Sequence, residues 1–180
     1  FGDGSSETTQ SAGEASEQSI SHEYTKAGEH TVSLMAIKDG APPETSTAAV
    51  TITVDPGMPS RVVLDSDRLT LAPRGRHQFS VEVFDLFDNA IADAEIMYQA
   101  DHKAGDATSE GAFTAGTTAG EYQGAVTVDA SKDSVSASAA ADVIVEAGPL
   151  ARIDVEPASA AISVGGVQQF EVAGFDEHDN

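Results

Sequence analysis

Three side chains bearing oxygen fall within five residues at Asp85, Asp88 and Asn89, and the same three types recur at Asp176, Asp179 and Asn180. Two chemistries suit such a set. A Ca²⁺ ion takes about 6–8 oxygen ligands, so each cluster could supply part of a hard-cation site. Asp and Asn also dominate turns, because their short side chains bond back to nearby backbone. Turns recur when domains recur, so the repetition suits both readings. A structural turn is the simpler expectation, with no metal or other cofactor, and calcium at these six positions is the alternative. Asp65-Ser66-Asp67 lacks the Gly and terminal Glu of a helical calcium loop.

The rest of the chain offers no catalytic set. No Gly-x-Ser-x-Gly, His-Glu-x-x-His or phosphate-binding glycine loop occurs. The five histidines, His22, His30, His77, His102 and His178, are scattered. His22 is expected to order a local turn, and His30 to be a partly buried corner residue rather than a metal ligand. No catalytic residue is nominated, and the chain is expected not to be an enzyme.

Composition narrows the partners. The 180 residues carry 9 Lys+Arg against 30 Asp+Glu, a formal charge of −21, which repels a phosphate backbone and argues against nucleic acid. There is no Cys, so no disulfide or zinc cluster, and no apolar run approaching the ~18–20 residues of a membrane helix. With no Trp and only three Tyr, the exposed aromatic platform of a sugar-binding module is missing. The acidity suits a soluble stalk, a salt-adapted surface, or divalent ions between repeats.

The elements that must position these residues read as strands. Apolar residues alternate at Val32-Leu34-Ala36, Val50-Ile52-Val54, Phe79-Val81-Val83 and Tyr122-Gly124-Val126-Val128, with Gln123, Ala125 and Thr127 on the other face of the last run. Val135 to Val145 keeps one parity over eleven positions, which favours strand over helix despite its alanines. Turn residues fill the gaps at Lys38-Asp39-Gly40, Asp88-Asn89, Lys103-Ala104-Gly105-Asp106 and Ala115-Gly116. Ser5–Ser21, rich in Ser, Thr, Glu and Gln, reads as a flexible loop.

A shift of 91 places Gly57, Arg61, Gly75, Gln78, Phe79, Phe84, Asp85, Asp88 and Asn89 on Gly148, Arg152, Gly166, Gln169, Phe170, Phe175, Asp176, Asp179 and Asn180 without a gap. Short Pro/Gly joints at Asp55-Pro56-Gly57 and Glu146-Ala147-Gly148-Pro149 separate the units and leave little freedom to swing. Ala-Gly-Glu-aromatic occurs at Ala27–His30 and at Ala119–Tyr122, with His in the aromatic place of the first. In immunoglobulin-like sandwiches a Tyr at such a corner bonds back across it, the role expected of Tyr122.

The opening segment resembles a PKD domain. The residues that carry this are Phe1-Gly2-Asp3-Gly4-Ser5 and His22-x-Tyr24-x-x-x-Gly28-x-x-x-Val32-x-Leu34. The second resembles a bacterial Ig-like (Big) domain of the invasin and intimin type. It does so through Arg61–Leu64, Gln78-Phe79, Asp85-x-x-Asp88-Asn89-x-Ile91, Gly111–Gly116 and Ala119–Tyr122. That family often has D-x-x-G-N where this chain has Asp88-Asn89. Both resemblances imply spacer, adhesion or binding modules of secreted or surface proteins, and PKD modules also accompany secreted hydrolases.

The expectation is therefore an all-β chain of tandem immunoglobulin-like β-sandwiches, the outer two truncated. Residues 1–54 form a partial PKD-like domain, 57–147 a complete bacterial Ig-like domain, and 148–180 the start of a second such repeat. The function expected is a non-enzymatic structural or adhesion stalk, extracellular or at the cell surface. The alternative is an accessory substrate-binding module of a secreted hydrolase. Expected partners are neighbouring domains of the same chain, and an extracellular protein or polysaccharide.

Overall fold

Alternation of apolar and polar side chains yields strands throughout the computed structural model, which describes residues 1–10, 18–38 and 44–180. Among these residues there are thirteen strands and no helix, so none long and apolar enough to cross a membrane. The turn expected at Lys38-Asp39-Gly40 and the middle of the expected 5–21 loop lie outside the described residues.

The first segment supplies one antiparallel pair, β1 (Gly28–Lys38) and β2 (Glu44–Val54). The central segment supplies β3 (Arg61–Leu64), β4 (Arg68–Leu71), β5 (Arg76–Gln78), β6 (Val81–Phe84), β7 (Glu95–Ala100), β8 (Gly105–Ala107), β9 (Ala112–Ala115), β10 (Gly120–Lys132) and β11 (Val135–Val145). The last segment forms a second pair, β12 (Arg152–Glu156) and β13 (Glu171–Phe175).

The central strands make a sandwich. One layer runs β4-β11-β10-β7, and the other comprises β3-β6 and β5-β9-β8. Counting β3/β4 and β5/β6 each as one interrupted strand gives seven strands in the two-layer arrangement of a constant-type immunoglobulin domain. The first interruption carries the chain from one layer to the other, and the second changes its partner within one layer. The β3 segment pairs antiparallel with β6, and after Asp65-Ser66-Asp67 the chain becomes β4, parallel to β11. The β5 segment pairs with β9, and after Phe79-Ser80 the chain becomes β6, paired with β3. Asp65 ties the two interruptions together: its N–H donates to the Ser80 carbonyl, its carboxylate accepts the Ser80 N–H at 3.0 Å, and His77 Nε2 lies 3.1 Å away. The run Phe79-Val81-Val83, expected as one strand, is thus interrupted at Phe79-Ser80 and changes partner from β9 to β3, although Phe79 and Val83 both enter the core as the alternation requires.

The core sits between the layers. Phe113, Val126, Val128, Val143 and Val145 are essentially inaccessible, with Leu69, Phe79, Ala104 and Ala141 packed among them. The long strands β10 and β11 meet at a two-residue turn, Asp133-Ser134, whose φ values of 48° and 68° suit the twist of a tight hairpin. Their expected alternation holds from Val126 onward. At its start it fails: Gly124, at φ 58°, opens a bulge, and Ala125 turns inward instead of outward, leaving Ala125 and Val126 both buried.

Candidate functional site

Each Asp-x-x-Asp-Asn corner folds around its first carboxylate. Asp85 Oδ1 accepts the N–H groups of Phe87 (2.8 Å) and Asn89 (2.9 Å), while Oδ2 accepts Gly57 N–H (2.8 Å) and Asn89 Nδ2 (2.9 Å). Asp176 repeats this, Oδ1 accepting from His178 and Asn180, and Oδ2 from Gly148 and the Asn180 amide. Both aspartates are only 4% exposed. Burial pushes the Asp85 carboxyl up, but the N–H bonds, the Asn89 side chain foremost, outweigh it and hold it at about 2. The Asn180 side chain leads the same effect on Asp176, which lies well below the usual carboxylate range. Four N–H donors meet each carboxylate, three from within the corner and one from a glycine 28 residues earlier, Gly57 or Gly148.

The remaining acidic residues have other partners. Asp88 bonds Arg61 at 2.8 Å and Asp179 bonds Arg152 at 2.9 Å. Each arginine also lies over a ring of its own unit, Arg61 at 4.2 Å from the Phe84 centroid and Arg152 at 4.3 Å from that of Phe175. Asp88 and Asp179 are left-handed, at φ 60° and 64°, a conformation that Gly adopts most readily and that Asp tolerates. Gly57 and Gly148 come so close that a Cβ would stand 3.3 and 3.1 Å from the Asp85 and Asp176 carboxylates.

The asparagines then reach out of their own unit. Asn89 Oδ1 accepts Ala27 N–H at 3.0 Å, and its Nδ2 donates to the Thr25 carbonyl at 2.9 Å. Asn180 Oδ1 accepts Ala119 N–H at 2.7 Å, and its Nδ2 donates to the Thr117 carbonyl at 2.8 Å. Sequence reasoning assigned Asn89 and Asn180 to turns and missed this second task. The Ala-Gly-Glu-aromatic device and the Asp-x-x-Asp-Asn corner, noted separately, are the two halves of one joint. Each half is held from behind. Tyr122 O–H donates to the Thr118 carbonyl at 3.0 Å, the corner bond expected of it, and His30 Nε2 sits 2.8 Å from the Lys26 carbonyl. His30 is 8% exposed, a buried corner residue.

The Phe1–Ser5 motif meets His22 and Tyr24. The Phe1 ring stacks on His22 at 4.1 Å, and Tyr24 O–H donates to the Phe1 carbonyl. Asp3 accepts from Ser5 Oγ at 2.5 Å and lies 2.6 Å from His22 Nε2, contacts that hold its carboxyl well below the ordinary range, Ser5 contributing most. Ser5 Oγ approaches that same Nε2 at 3.2 Å. A proton relay needs the acid and the nucleophile on different ring nitrogens, so this set braces a turn and does not form a relay.

No family model and no curated protein matches the chain. Solved structures do overlap it. Protocadherin gamma B2 extracellular cadherin domains 1–5 match at 18% identity and TM-score 0.45, over 74% of this chain and 28% of that one. Protocadherin gamma B7 extracellular cadherin domains 1–4 match at 20% identity and TM-score 0.45, over 84% and 41%. The S-layer protein rSbsC matches at 16% identity and TM-score 0.42, over 86% and 20%. The chain therefore spans less than half the length of each.

Proposed function

We propose that this chain is a non-enzymatic structural repeat region of a secreted or cell-surface protein, a stiff spacer that carries an adhesive or catalytic head elsewhere on the polypeptide. The observation that carries this is the repeated joint: Asn89 on Ala27 and Thr25, Asn180 on Ala119 and Thr117, with matching distances. Two hydrogen bonds from one amide, together with a three-residue Pro/Gly linker at Asp55–Gly57, restrict both bending and rotation between neighbours. Stacked repeats of this kind interact chiefly with the next in line, so length grows by addition.

Under this reading the units are a PKD-like segment, 1–54, a bacterial Ig-like domain, 57–147, and the start of a further copy, 148–180. Their carboxylates serve turns and joints, and calcium is not part of the mechanism. Small-angle scattering of the chain beside Asn89→Ala tests the spacer role. The expected result is a fixed, elongated profile that broadens in the variant; a flexible profile in the unaltered chain contradicts it.

A further inference from the structure

We infer that Asn89 and Asn180 recognise the backbone of the preceding corner and not its side chains, so that each Asp-x-x-Asp-Asn corner accepts any sandwich presenting the same N–H and C=O pair. This deepens the spacer reading and rests on it. The upstream units at the two joints differ: the 91-residue repeat relates the central unit to the one after it, not to the one before. The corners differ as well. Lys26 stands in one where Thr118 stands in the other, and His30 braces the first as Tyr122 braces the second. Even so, the amide bonds match, at 3.0 and 2.9 Å in the first joint and 2.7 and 2.8 Å in the second. Every upstream atom these amides hydrogen-bond is main chain.

The side chain presenting the bonds is fixed beforehand. One Nδ2 hydrogen of Asn89 is held by Asp85 Oδ2, leaving the other hydrogen and Oδ1 aimed outward as a donor and acceptor pair. That pair matches one C=O and one N–H two residues apart, the edge of a corner. An Asp in this place would lose both donors and set a second carboxylate against Asp85. Lys26 adds a bond of its own, Nζ to the Phe87 carbonyl at 3.1 Å, yet the second joint forms with Thr118 in that place. The partner that fits this surface is thus a class, an immunoglobulin-like sandwich with a braced corner before its penultimate strand, whatever family supplies it.

Amide hydrogen exchange at Ala27 and Ala119 in the full chain tests this, comparing Asn89→Ala, Lys26→Thr and the double variant Thr25→Ala/Lys26→Ala. Thr25 and Lys26 are both exposed, so these changes leave the hairpin folded. The expected result is a loss of protection at Ala27 of about fivefold to tenfold in Asn89→Ala, with Ala119 unchanged. The corner variants stay within about twofold of the parent. If Asn89→Ala leaves Ala27 protected, the joint itself fails and the spacer reading with it. If Asn89→Ala exposes Ala27 but the corner variants expose it equally while β1 amides stay protected, recognition depends on side chains and only this inference falls.

Discussion

His30 occupies in its hairpin the place Tyr122 occupies in the next unit, and each closes its corner on the carbonyl four residues earlier, His30 Nε2 at 2.8 Å from Lys26 O and the Tyr122 hydroxyl at 3.0 Å from Thr118 O. Two unlike side chains thus do one job: they hold the corner whose backbone the following asparagine binds. Replacing Tyr122 with Phe keeps the ring and removes the bond. The expected cost is about 1 kcal/mol of stability, read by urea denaturation, together with lower exchange protection at Ala119. Unchanged protection there would mean that the corner stands without its brace.

The central sandwich owes its stability to the apolar layer around Phe113, which is fully buried. Phe113→Ala should cost about 3–5 kcal/mol by lost burial and cavity formation. Met97, on β7 and 60% exposed, should tolerate Ala to within about 0.5 kcal/mol. Equal effects in thermal melts would place the core elsewhere.

Acid should loosen the corners. Asp85 sits at about 2 when folded, against ~3.9 for an unfolded Asp. Between those values the unfolded chain takes up a proton that the folded chain refuses. The stabilisation is therefore present above about pH 4 and is lost as pH falls toward 2. Asp176 and Asp3 are displaced in the same direction and add to it. Melting temperature should fall steeply across this window, and Asp85→Asn should melt lower at neutral pH with a shallower acid slope. An identical slope in the variant would remove Asp85 from the account.

Calcium should leave the melting temperature where it is. Asp85 and Asp176 already accept four N–H bonds each, and Asp88 and Asp179 face arginines. Titration with Ca²⁺ and then EDTA is expected to shift nothing, whereas a rise of several degrees reversed by EDTA would favour the cation reading of these residues.

Much of this was legible in the sequence because strand alternation and turn chemistry are local. The strand character of β10 and β11, the burial of Val143 and Val145, and the Tyr122 corner all follow from short spans. Periodicity reports which face a residue takes, not which strand it pairs with, so the change of partner between Phe79 and Val81 was hidden. The inward turn of Ala125 was hidden for a different reason, since one left-handed Gly124 resets the parity. The joint escaped because its halves lie far apart in sequence. A signal existed all the same: Ala27 precedes Asn89 by 62 residues and Ala119 precedes Asn180 by 61, a near-constant interval between two recurring motifs.

The chain has no cysteine, so two can be introduced as unique spin-label sites, Ser46→Cys on β2 and Ser136→Cys on β11, both exposed. The interlabel distance distribution, measured by pulsed electron resonance, tests the claim that one asparagine fixes neighbouring units. A single narrow distribution is expected in the parent chain and a broad one in Asn89→Ala. A broad distribution in the parent, or a narrow one that survives the loss of Asn89, would contradict it.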